Sequence, residues 1–177
     1  MAKQVSKTYG SALFEVALES NTLDATLEEV LFVKQTFLEN EDLNKLLLHP
    51  NIEKEEKIKV IENIYKGKIS DEITGLMIML ITKGHQKDII SVFDYVIAAI
   101  KEEKGIGIAY ISSAVALTDS QKERIEQKLL ETTKYQTIEG IYQVDADLIG
   151  GLVIRIADTV VDSSLKTQIA NLSKTLL

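Results

Sequence analysis

The chain has 177 residues, 45% of them apolar, enough to bury one ample core or two small ones. A formal charge of -7, from 20 basic against 27 acidic residues, argues against a nucleic-acid partner, since phosphate neutralisation needs clustered Lys and Arg and no cluster stands in the sequence. The absence of cysteine excludes disulfides, thiolate metal sites and cysteine nucleophiles. The longest apolar runs, residues 75–81 and 96–100, fall far short of the roughly 20 needed to cross a bilayer, so no direct membrane insertion is expected.

Up to about Lys104 the apolar residues recur at helical spacing. Val5, Tyr9, Ala12, Leu13, Val16 and Ala17 form one face of a first helix. Asn21 or Thr22 can cap a second, with Leu23, Leu27, Val30, Leu31, Phe37 and Leu38 on a stripe interrupted by Lys34. A short third helix, Asp42 to Leu48, ends at His49 and Pro50, because proline disfavours helical geometry in the residue before it. Asn51 can cap a fourth, whose acidic opening complements the helix dipole and whose buried edge is Ile58, Ile61 and Tyr65. Ser70 or Asp71 starts a fifth, in which Ile73, Leu76, Met77, Ile78, Met79, Leu80 and Ile81 leave almost no polar face; such a helix must be surrounded. Gly84 ends it. A sixth, from about Gln86, carries Ile89, Val92, Phe93, Val96, Ile97 and Ile100.

At Gly105 the period changes. The alternation of Ile106, Ile108 and Tyr110 is a strand signature, and Thr118 with Gln121 is a capping box opening a helix through Lys134, with Ile125, Leu129 and Leu130 inward. A strand follows from Ile138 to Val144, then one from Leu152 to Ala157, a reversal at Asp158 and Thr159, a short strand at Val160 and Val161, and a last helix with Leu165, Ile169, Leu172 and Leu176 on one stripe. The expected fold is therefore mainly α with a small α/β module: a six-helix bundle over 1–104, then a β-α-β-β-α domain over 105–177.

No catalytic constellation emerges. Gly150 and Gly151 lead into a strand and not a helix N-terminus, and Gly105 and Gly107 lack the third glycine of a dinucleotide loop because Tyr110 stands there. Asp145, Asp147 and Gly150 mimic part of a calcium loop, but Ile149 and Ile156 replace oxygen ligands. His49 and His85 lack companions at metal-ligand spacing and read as helix-end residues whose side chains meet terminal carbonyls. Asp158 and Asp162 read as turn and N-cap residues flanking a tight hairpin. The glycine pair reads as a bend or close backbone approach into a strand apolar on both faces, Arg155 being its one charged member. No catalytic residue, metal or cofactor is expected.

Residues 145–177 resemble the C-terminal signature of the delta subunit of F-type ATP synthases, the family of the mitochondrial oligomycin-sensitivity-conferring protein. Leu148, Gly150, Gly151, Leu152, Ile154, Arg155 and Asp162 occupy its positions. The stretch 9–17 is similar to the family's first helix, and 76–85 to the end of its fifth. Ala157 and Ser163 stand where the family often has glycine, and Lys83, Gly84 and His85 where it has Asn-Gly-Arg. The resemblance implies a non-catalytic stator subunit, one copy per complex, that couples rotation to ATP synthesis and proton transport. It would sit peripherally on the cytoplasmic face of a bacterial cell membrane. A groove between helices one and five would receive the N-terminal segment of an alpha subunit, using Tyr9, Ala12, Leu13, Val16, Leu76, Met79 and Leu80, each of which also reads as core. The C-terminal module would engage the b subunit at the end of the peripheral stalk, with Leu165, Ile169 and Leu172 as contacts. A start that enters helix almost at once points to a bacterial or organelle-encoded chain. The alternative is a free-standing helical adaptor that binds an amphipathic partner helix through the same groove.

Overall fold

The structure, a computed structural model, describes the backbone of residues 2–175 and the side chains of residues 4–172. Among the described residues the chain is mostly helical, with eight α-helices and one four-stranded mixed sheet. It divides into two compact units, residues 1–100 and 101–177.

The first unit holds α1 (Ala2–Glu19), α2 (Leu23–Glu39), α3 (Glu41–Leu48), α4 (Lys54–Tyr65), α5 (Asp71–Thr82) and most of α6 (Ile89–Glu103), the last preceded by a turn of 3-10 helix, Gln86–Asp88. Helix α5 lies at the heart of its core: Ile73, Leu76, Met77, Leu80 and Ile81 are all buried. At roughly 1.5 to 3 kcal/mol for each large apolar side chain removed from water, that helix alone contributes on the order of 10 kcal/mol. Its ends are held from outside. The backbone N–H of Ser70, the N-cap, donates to the Glu29 carboxylate at 2.9 Å, and Lys54 Nζ donates to the Thr82 carbonyl at 2.7 Å. Gly84 then turns the chain with φ 78°, and the N–H groups of Gly84 and His85 return to Ile81 and Leu80 in a Schellman closure.

Several expectations need correction here. The buried face of α2 is Thr26, Val30, Val33 and Phe37, while Leu31 and Leu38 are exposed. The stripe is rotated because Val33 and Phe37 lie one turn apart on the same face as Val30, and Lys34 is left free to reach Asp94 at 2.6 Å. Thr22, one of the two expected positions, is the N-cap residue of α2 but makes no side-chain cap; its hydroxyl turns back toward the Ala17 carbonyl, and Asn21 adopts φ 55°. Asn51 does not cap α4, whose N-cap is Glu53; the Asn51 N–H donates to His49 Nδ1 instead. Met79, expected to be enclosed with the rest of α5, is exposed.

The second unit is built on β1 (Ile106–Ser113), α7 (Asp119–Thr132), β2 (Thr137–Val144), β3 (Leu152–Ile156), β4 (Thr159–Asp162) and α8 (Leu165–Thr175). The sheet order is β2-β1-β3-β4, with β1 parallel to β2 and antiparallel to β3, and β3 antiparallel to β4. The element order is thus β-α-β-β-β-α: the short strand expected at Val160 and Val161 forms as Thr159–Asp162 and is the strand that the expected β-α-β-β-α order left out, while Ala157, at φ 49°, reverses the chain one residue earlier than expected.

Thr118 opens α7 with the complete capping box, its hydroxyl accepting from the Gln121 N–H and the Gln121 side chain accepting from the Thr118 N–H. Helix α7 turns Leu129 into the core with Ala109, Ile111, Ile138 and Ile156; Leu130, expected inward, is exposed because it lies about 100° further round the helix. The Tyr142 hydroxyl donates to Glu126 of α7 at 2.7 Å, and burial together with that carboxylate pushes the phenol well above its ordinary range. On β1 the buried face is Gly107, Ala109, Ile111 and Ser113, leaving Ile106, Ile108 and Tyr110 on the more open side.

Candidate functional site

Helices α1 and α5 leave an open apolar groove between them. Its volume is 340 Å³ and its walls are Tyr9, Ala12, Leu13 and Val16 from α1 and Asp71, Glu72, Gly75, Leu76 and Met79 from α5. The helices run in opposite directions: Val16 and Ala17 share a second concavity of 180 Å³ with Ser70 and Glu72, whereas the Tyr9 ring lies 6.1 Å from that of His85, beyond the far end of α5. One end of the groove is therefore acidic and the other aromatic.

Six of the seven residues expected to form the groove line it. Leu13 (6% exposed) and Leu76 (8%) make its floor, while Val16 (43%) and Met79 (49%) stand up on its rims. Leu80 does not: it is 0% exposed and belongs wholly to the core, since it lies about 100° further round α5 than Met79. Asp71, Glu72 and Gly75 were missed by sequence reasoning. The i, i+4, i+8 spacing of Asp71, Gly75 and Met79 was present to be read, but two acids and a glycine carry no apolar signal.

In the second unit the expected contacts Leu165, Ile169 and Leu172 form an exposed stripe on α8; Leu176, its expected continuation, lies outside the described residues. A trough of 510 Å³, larger than the α1/α5 groove, runs between α7 and β3, with Leu117, Ile125, Leu152 and Ile154 as its apolar lining and Arg124, Lys128 and Glu131 around it. Sequence reasoning missed it, because it arises where α7 leaves part of one sheet face uncovered. Arg155 sits on the other face, in the cross-strand row Ile141, Tyr110, Arg155, Val160.

The signature residues have structural tasks. Gly151 has φ 74°, and a Cβ there would stand 2.3 Å from the Ser163 carbonyl oxygen; at Gly150 a Cβ would meet the Leu165 side chain at 2.6 Å. The close backbone approach expected of the pair is thus realised at Gly151. Asp162 closes the turn before α8: its Oδ1 accepts from the Ser164 N–H at 2.9 Å and its Oδ2 from the Thr167 hydroxyl at 2.8 Å. The expected N-cap role passes to Ser164, whose hydroxyl accepts from the Thr167 N–H at 3.3 Å, because two residues separate Asp162 from the first turn of the helix. Hydrogen bonds from Ser164 and Thr167 hold the Asp162 carboxyl below its ordinary range.

The histidines sit at helix ends, but their rings do not meet terminal carbonyls. His49 Nδ1 accepts from Asn51, and His85 Nδ1 lies 3.3 Å from the buried Asp88 carboxylate. Among the described residues no group of three His, Cys, Asp or Glu could hold a metal ion, and no helix is long and apolar enough to cross a membrane.

The family model of the ATP synthase delta (OSCP) subunit matches residues 5–176. The chain is 53% identical, over 99% of its length and 97% of the relative's, to an ATP synthase subunit delta of Lachnoclostridium phytofermentans. It is 28% identical, over 96% of each chain, to one of Brevibacillus brevis. A chain in the cryo-electron microscopy structure of the Toxoplasma gondii mitochondrial ATP synthase hexamer shares the fold, with a TM-score of 0.83 at 17% identity over 97% of this chain and 96% of that one. With the helical unit, the four-stranded module and the Gly150–Gly151 corner all in place, the chain belongs to the ATP synthase delta (OSCP) subunit family, whose members are structural and not catalytic subunits of the enzyme.

Proposed function

We propose that this chain is the stator link of an F-type ATP synthase, tying the catalytic head to the peripheral stalk so that the head does not follow the turning rotor. It makes and breaks no bond; its task is to transmit force between two protein contacts while ATP synthesis and proton transport proceed. Residues 1–100, read as a six-helix bundle, would receive the N-terminal segment of an alpha subunit in the α1/α5 groove. Residues 101–177 would engage the C-terminal end of the b subunit through the α8 stripe and the α7/β3 trough. One copy would serve each complex, held peripherally at the cytoplasmic face of the cell membrane.

The observation that carries the reading is the open groove itself. Val16 and Met79 are large apolar side chains left in water on either side of an apolar floor, an arrangement suited to the apolar face of a guest helix. Isothermal titration of the full chain with the N-terminal peptide of the alpha subunit from the same genome tests it. Binding at micromolar concentration or tighter, lost on Val16→Glu or Met79→Glu, is the expected result. No heat with the wild-type chain would return the protein to the class of free-standing adaptors.

A further inference from the structure

We infer that Gly75 is the specificity-determining position of the α1/α5 groove, the point at which a docked helix makes its closest backbone approach. This rests on the groove being the docking site proposed above and adds what selects its occupant. Gly75 lies in the middle of α5, on the exposed wall of the groove, in line with Asp71 and Met79. A glycine there weakens the helix relative to alanine. Nothing among the described residues requires it. A Cβ built at Gly75 would have no atom within 4 Å, and its φ is not positive, so neither packing nor backbone conformation excludes a side chain. Gly10 of α1 is the contrast, for a Cβ there would stand 2.4 Å from the Tyr95 ring.

The vacancy at Gly75 therefore has its reason outside the chain. Ala12 shares the groove with it, so both walls carry small side chains, while the floor and rims are large and apolar. A helix laid along this channel can bring its own backbone down between Ala12 and Gly75, where any longer side chain would hold it off. The lining positions of α5 from Asp71 to Met79 cover about 12 Å of helix, roughly two turns. The carboxylates of Asp71 and Glu72 rim one end only. The occupant is accordingly an amphipathic helix of a partner subunit, with an apolar face, a small residue where it passes Gly75 and basic side chains toward the Asp71 end.

The test uses the full chain, with fluorescence anisotropy of a labelled alpha-subunit N-terminal peptide and thermal melting read on the same samples. Wild type is expected to bind. Gly75→Ala should melt higher, by about 4 °C, yet bind severalfold more weakly. Gly75→Met should retain its melting temperature and lose roughly tenfold or more in affinity, as for an overpacked contact. Affinities of both variants within about twofold of wild type would overturn the inference while leaving the docking site intact. Failure of the wild-type chain to bind would overturn the docking site and this inference together. Should Gly75→Met not fold, Gly75→Ala decides by the same criterion.

Discussion

Gly151 and Ser163 meet so closely that a Cβ on the first would stand 2.3 Å from the carbonyl oxygen of the second. The contact is with backbone and cannot be relieved by a side-chain rotation. The positive φ of 74° adds strain for any L side chain. Gly151→Ala is expected to destabilise the second unit by more than about 2 kcal/mol. Gly150→Ala meets only the end of the flexible Leu165 side chain and should cost less than about 1 kcal/mol. Urea unfolding of the two variants, followed by hydrogen exchange to localise the loss, measures the difference.

Leu80 and Met79 adjoin in sequence but answer to different demands. Leu80→Ala removes a fully buried side chain and should cost about 2 to 5 kcal/mol of stability. Met79→Ala, half exposed on the groove rim, should change stability by less than about 0.5 kcal/mol while weakening the alpha-subunit peptide. Paired melting and titration experiments would show the two losses separating.

Acid should loosen the start of α8. Because hydrogen bonds from Ser164 and Thr167 hold the Asp162 carboxyl below its ordinary value, the folded state binds that proton less readily than the unfolded chain. The contribution to stability is then present above about pH 4, the ordinary carboxyl range, and is lost as pH falls through the lowered folded value. Asp162→Asn should lower stability at neutral pH and show a shallower decline on acidification. The difference between the two stability-against-pH curves isolates this carboxylate from the others; parallel curves would sink the idea.

The Tyr65 hydroxyl is buried between helices with no hydrogen-bond partner among the described residues, and the neighbouring Thr36 hydroxyl is committed to the Phe32 carbonyl at 2.9 Å. Burial pushes the phenol above its ordinary value, the Thr36 side chain opposing. Since an unsatisfied buried polar group costs stability, Tyr65→Phe should leave the first unit as stable or raise its stability by about 1 kcal/mol. A clear loss on chemical denaturation would mean the hydroxyl is satisfied in solution.

Helix existence and the switch from a period of 3.6 to one of 2 at Gly105 were legible because they depend on local apolar spacing. So was the Thr118–Gln121 capping box, which is a local pattern by nature. Facing was harder. Leu31, Leu38 and Leu130 fit apolar stripes as well as Val33 and Leu129 do, and only tertiary packing decides which side of α2 or α7 turns inward. Six of the residues lining the groove were legible through the family resemblance, but Leu80 was misplaced there, and the acidic end and the open position at Gly75 were not legible. Those features show themselves only when α1 and α5 lie side by side.

Strand β1 is the first of the sheet to leave the ribosome, yet it lies in the interior, and both of its neighbours come from later sequence: Ile106 pairs with Thr137, and Ala109 with Ile156. The sheet cannot begin until β2 has been made. The preceding helices make contacts that need no later residue, so they are free to settle while β1 waits, solvated and unpaired, for the segment that follows α7. A nascent chain cut short before Leu152 would therefore carry a formed helical unit and an apolar, half-paired strand, which makes this tail the part of the protein most dependent on being finished.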